Sequence, residues 1–221
     1  MSRPCAIVAC GKHASGYSTQ CELHKRNMRR HGHPEQSGVT VHDLRPFLEA
    51  IAARRAKNPS NPTWQLLARR WQAVTGHAEA ILAASAAGAV CVSYERQTAA
   101  QLLILRDSVP DRVVIDTALA MFGFQERRPS RFKSDKAFAF QLARRIRGLA
   151  RVNAGAHTDA RSGCVKRTYR DTPPRVLACL AATLTAAFGV AGLQIAKLDA
   201  ADAVSGDAER QQLHEALREL Q

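Results

Sequence analysis

Three thiols and an imidazole fall within the first 24 residues of this 221-residue chain, as Cys5-x4-Cys10 and Cys21-x2-His24. Few large apolar side chains accompany them, so a hydrophobic core cannot hold this segment together. Four such groups can close a tetrahedral zinc site, whose ligands are deprotonated sulfur and neutral nitrogen at short loop spacings. Cys5 and Cys10 would grip the metal from a turn containing Gly11. Cys21 and His24, three apart, share one face of a first helical turn. Free thiols are the competing reading, but a short basic segment with little apolar cover has nothing to bury them in. His13, His31 and His33 are further candidates for the fourth ligand. His24 is preferred because local helical geometry fixes its distance from Cys21. Bound zinc would then be the staple that lets residues 1–34 fold.

The other cysteines, Cys91, Cys164 and Cys179, are scattered among apolar or basic neighbours, which favours buried free thiols over a disulfide framework. The first ten residues hold one arginine and only a short apolar run, unlike a secretory signal, so a cytoplasmic protein is expected. A hydrophobic content of 46% suffices for a packed core in one large or two small domains.

The net charge of +13 points to a polyanionic partner and says nothing of fold. It is unevenly placed. Residues 1–33 carry six Lys and Arg against one Glu, and residues 34–126 are balanced. Residues 127–175 then carry fourteen Lys and Arg against three Asp, whereas residues 176–221 have a net charge of −3.

The remaining pattern is helical, so the expected class is mainly α: a zinc-binding module over 1–34 followed by a multi-helix domain over 35–221. Gly32, Pro34 and Gly38 mark a linker. Asp43 is expected to cap a helix over 44–57, and Asn58-Pro59-Ser60-Asn61-Pro62 to stop it. Helices follow over 63–75, ended by Gly76, and over 78–87, 94–107 and 111–125. Ser134 caps one reaching residue 151, Pro173-Pro174 starts one reaching 189, and Asp207 caps an acidic C-terminal helix over 208–220. Residues 165–169 and 90–93 read as extended. The uncharged run 176–196 is long enough to span a bilayer, but its Ala, Thr and Gly content gives little insertion energy, which favours a buried helix.

Cys21-Glu22-Leu23-His24, the Gly16-Tyr17 pair and Arg29-Arg30-His31-Gly32-His33-Pro34 together resemble a small N-terminal zinc-binding motif of phage and mobile-element proteins. Some members of that group carry an HNH endonuclease domain downstream. The resemblance covers about residues 5–34 and implies a zinc finger whose helix touches nucleic acid. This chain departs from it where Ser18-Thr19-Gln20 separate Gly16-Tyr17 from Cys21, and where Asn27 and Met28 replace the usual Arg and Trp. No His-Asn-His core follows in residues 35–221, so the resemblance brings no nuclease with it.

Beside the cluster, Lys25, Arg26, Arg29 and Arg30 are candidate phosphate contacts. In the helix after Ser134, Phe138, Leu142, Ile146 and Leu149 form an apolar stripe. Lys136, Phe140, Arg144, Arg147 and Arg151 track the opposite side. Guanidiniums at helical pitch suit phosphate oxygens, and each neutralised phosphate adds salt-dependent affinity. Lys166, Arg167 and Arg170 extend this footprint, with Tyr169 among them. Aromatic residues make up only 5%, which argues against a stacking platform for single strands and for duplex DNA. Two weaker patterns carry less: a helix-turn-helix around Gly76, and His157 with Arg161 and Tyr169 as a phosphodiester-cleaving set too close together in sequence. The reading is a zinc-binding, DNA-binding accessory or regulatory protein. The alternatives are an HNH-like or other metal-dependent nuclease, and a protein adaptor that binds a partner or itself through the C-terminal helix.

Overall fold

The computed structural model describes residues 3–151, 154–169 and 171–219, those of 154–157, 166–169, 203 and 206–219 as backbone alone. The protein is mainly α. Helix α1 (Glu22–His31) follows the cysteine cluster. Then come α2 (Val41–Lys57), α3 (Pro62–Ala86), α4 (Ser93–Ser108), α5 (Asp111–Arg127) and α6 (Asp135–Arg147). A two-stranded antiparallel hairpin, β1 (Ala154–Thr158) and β2 (Val165–Tyr169), precedes the 46-residue α7 (Pro174–Glu219).

Helix α5 is the axis of the core. Its sequence is apolar nearly all round, so it can be stable only when covered on every side. Val114, Ile115, Ala118, Leu119, Met121, Phe122 and Phe124 are all buried, and α2, α3, α6 and α7 pack around them. A chain of tilted and edge-on rings, Phe47–Phe124, Phe124–Phe132, Phe132–Phe138 and Phe138–Phe122, runs through this centre with centroids 5.2–5.4 Å apart. Trp71 is fully buried, and its indole N–H is satisfied by the Asp111 carboxylate at 2.9 Å.

Helix boundaries differ from those read in the sequence, and α6 ends at Arg147, where Gly148 caps it, short of residue 151. Thr40, not Asp43, caps α2: its hydroxyl accepts from the N–H of Asp43, whose carboxylate reaches back to the Thr40 N–H in a capping box. Gly76 does not end a helix. The expected helices over 63–75 and 78–87 are the single α3, so the helix-turn-helix pattern is excluded. Burying Leu67, Trp71, Thr75 and Ala78 along one side outweighs the weak helix propensity of one glycine.

Likewise, the expected helices over 174–189 and 208–220 are one helix, α7. Gly189 and Gly192 serve packing there: a Cβ on Gly192 would stand 2.6 Å from the Phe122 ring. Leu177, Leu180, Leu184, Phe188 and Ile195 line the buried face of α7, which accounts for the apolar content that also makes it long enough to cross a bilayer. Finally, residues 90–92 form no strand, and Ser93 already begins α4.

Candidate metal centre

The N-terminal cluster is built from two short devices. The chain doubles back between Pro4 and His13, with the Cys5 N–H donating to the Lys12 carbonyl at 2.8 Å. Ala9 and Gly11 turn it with φ of 59° and 61°, a region that costs a residue with a Cβ more than it costs glycine. Cys5 and Cys10 thereby face one point. The second device is the start of α1, where Cys21 is the N-cap residue and His24 lies in the first turn, so both project to that point. Ser18-Thr19-Gln20, the insertion relative to the resembled motif, closes the loop between the devices. Thr19 accepts from the Ala6 N–H at 2.8 Å and Gln20 from the Ser15 N–H at 3.0 Å.

Cys5, Cys10, Cys21 and His24 present their ligand atoms within 4.8 Å of one another. The His24 Nδ1 is 3.4 Å from the Cys5 Sγ and 3.4 Å from the Cys21 Sγ, and the Cys10 and Cys21 sulfurs are 3.7 Å apart. A tetrahedron with ordinary zinc bond lengths has edges of about 3.8 Å between sulfurs and about 3.6 Å between sulfur and nitrogen. These three edges match that size, and the two half-sites join as the spacing predicted. These four residues could therefore hold a metal ion.

The thiols are electrostatically unequal. Partial burial pushes Cys5 up, but hydrogen bonds with His24, the Ile7 and Cys21 amides and Cys10 outweigh it and bring the thiol down to about 6. Cys10 moves the other way. The Lys12 amide favours its thiolate, yet loss of solvent and the crowding of the Cys21 and Cys5 sulfurs raise it. Sulfurs this close cannot all ionise without a cation among them, which is the chemistry of a metal-thiolate site.

The other two candidate imidazoles near α1 are engaged elsewhere. The Glu35 N–H donates to His33 Nδ1 at 3.2 Å. His31 Nδ1 lies 2.9 Å from the Gln141 amide nitrogen, and the Gln141 oxygen accepts from the Val39 N–H at 2.9 Å. Burial, then the fields of Arg144 and Arg30, hold His31 down to about 4, so it is neutral and accepts from Gln141. Gly32, with φ of 77°, ends α1 so close to α6 that a Cβ would stand 2.8 Å from the Lys136 carbonyl. The N-terminal segment is thus seated on α6 through His31, Gly32 and Gln141.

That seating corrects the expected arginine face. Helix α6 buries Phe138, Leu142 and Ile146 as expected, but also Phe140 and Arg147 on the side read as open. Arg147 is 8% exposed and donates to the Gln101 side chain at 2.8 Å. Arg144 is half-buried and acts through its field on His31 of α1. The physical reason is that α6 has helices on more than one side, with α1 and α7 both against it, so the side opposite the first apolar stripe is no solvent face.

Arg151 is exposed. Of the α1 cations, Lys25, Arg26 and Arg29 are exposed and Arg30 is half-exposed. Lys25 pairs with Glu22 at 3.4 Å, and Arg29 and Arg30 pair with Asp171 at 3.4 and 3.0 Å. Lys166, Arg167 and Arg170 carry side chains outside the described residues, as do His157 and Tyr169. The hairpin register nevertheless pairs Tyr169 with Ala154, three positions along the strand from His157, a separation of about 10 Å.

Sequence reasoning passed over Gln141 and Asp171. A glutamine between apolar neighbours in an amphipathic helix was the available signal for the first, since a buried amide must find partners. Asp171 gave no local signal, because its partners are more than 140 residues away. The chain matches no protein-family model, no curated protein and no solved structure.

Proposed function

We propose that this chain is a zinc-stapled nucleic-acid-binding protein of accessory or regulatory type, similar in its first 34 residues to phage and mobile-element zinc modules. Four protein ligands fill a tetrahedron, leaving no position for a reacting water, so the metal acts as a structural staple. Three thiolates and an imidazole favour zinc over magnesium or calcium. The observation that carries the nucleic-acid reading is the exposed row Lys25, Arg26 and Arg29 on the helix that begins inside the metal cluster, in a chain of net charge +13. Such cations contact phosphates and position a protein on duplex DNA without reading its sequence.

Zinc content of protein purified without chelator, and affinity for labelled duplex DNA across a salt series, test this reading. Stoichiometric zinc is expected, with affinity that falls steeply as salt rises. Binding that does not change with salt, or none at all, would overturn it.

A second reading, a protein adaptor, draws on the outer side of α7, where Val190 is 73% and Val204 70% exposed. Capture of a protein partner that resists salt, without retention of DNA, would favour it.

A further inference from the structure

Where α1, α6 and the segment entering α7 meet, two guanidiniums close on one carboxylate within the field of a third. Arg30 Nε donates to both Asp171 oxygens at 3.0 and 3.1 Å, Arg29 reaches Asp171 at 3.4 Å, and Arg144 acts on it through its field. The neighbouring His31 is neutral and contributes no compensating or added charge. Arg26 adds to the same positive field at His31. Partial burial would raise Asp171, but Arg30, Arg144 and Arg29 together hold it below the ordinary carboxylate range. For Arg144, loss of solvent and then the repulsion of Arg30 both disfavour its charged form. Among the described residues, positive charge is therefore in excess at this point. A single carboxylate balances one of three guanidiniums, whereas a phosphoryl group brings more charge and more acceptor oxygens to the same donors.

We propose that Arg29, Arg30 and Arg144 form a seat for a phosphoryl oxyanion, which Asp171 occupies as an internal stand-in until a backbone phosphate of nucleic acid displaces it. The choice of nucleic acid as the source rests on the function proposed above; the seat itself rests on the arrangement of these four residues. It also keeps for the half-buried Arg144 the phosphate contact that the open-face reading gave it.

The test uses the full chain, wild type and Asp171→Asn, titrated with inorganic pyrophosphate by calorimetry and with labelled duplex DNA across a salt series. Asp171→Asn is expected to bind pyrophosphate about tenfold tighter than wild type, and adding Arg30→Gln should remove the gain. With DNA, Asp171→Asn should bind tighter and steepen the salt dependence by about one phosphate contact. Equal pyrophosphate binding by the two proteins, or a gain that survives Arg30→Gln, would overturn the seat even if DNA binding is intact. A pyrophosphate gain without any DNA binding would uphold the seat, with free phosphate as its ligand, and overturn the nucleic-acid reading instead. Should Asp171→Asn be too unstable to titrate, its melting temperature must rise with pyrophosphate and not with sodium chloride of equal ionic strength. No such rise would also overturn the proposal.

Discussion

At the scale of single residues, Gln141 and His31 show how a buried polar pair can decide where a module sits. Gln141 is 1% exposed, and its amide has two partners, the Val39 N–H and His31 Nδ1. The bond to His31 holds only while that nitrogen is unprotonated. Folding thus keeps His31 neutral down to about 4, whereas the unfolded chain takes up the proton near 6.5. Because the unfolded state binds the proton first, stability is fully present above about 6.5 and is lost as pH falls towards 4. His31→Gln cannot titrate, so its stability should fall less over that range than wild type does. Urea unfolding at a series of pH values measures the difference, and the metal ligands, common to both proteins, cancel from it. Parallel losses would assign the acid sensitivity to other groups.

At the scale of elements, two glycines inside helices have opposite roles. Gly76 lies in α3 with nothing within 4 Å of where a methyl group would stand, whereas at Gly192 in α7 that methyl would lie 2.6 Å from the Phe122 ring. Gly76→Ala should stabilise the protein by up to about 1 kcal/mol, the helix-propensity gain. Gly192→Ala gains the same propensity but forces the core apart, for a net loss of about 1–3 kcal/mol. Thermal unfolding of the two variants should therefore shift in opposite directions. The sequence reads as broken at Gly76 and Gly189, yet a glycine ends a helix when a left-handed turn caps the last carbonyls. Gly32 makes such a turn with φ of 77°, and a sequence does not reveal φ.

At the scale of the molecule, the candidate metal site and the helical core call for different means of support. Apolar packing does little for the cluster, since Cys21 is the one cysteine of the four-residue set that is buried, so a metal ion held there would be its main support. The core around α5 relies on apolar packing. Removing the metal with a strong chelator should expose the amides of residues 5–21 to hydrogen exchange, while those of α5 stay protected. Mass-spectrometric exchange measures both regions in one experiment. Loss of protection in α5 to the same extent would mean that the module and core unfold together. Ion pairs add modestly to this arrangement, as where Arg54 ties the end of α2 to Asp199 and Asp202 of α7.

The four-residue cluster, the helical class and most helix starts were legible in the sequence, because each rests on interactions within a few residues: ligand spacing, N-caps and apolar periodicity. Ser134 caps the helix it was expected to introduce for that reason, and Asn61, inside the expected stop, caps α3. What the tertiary structure alone decided is which faces see water. Arg144 and Arg147 lie on a side that local periodicity marks as polar, and only the arrival of α1 and the other helices covers it. Asp171 meets Arg30 across 141 positions, and Gly192 meets Phe122 across the core. Burial is a property of all the neighbours at once, and no stretch of one helix contains them.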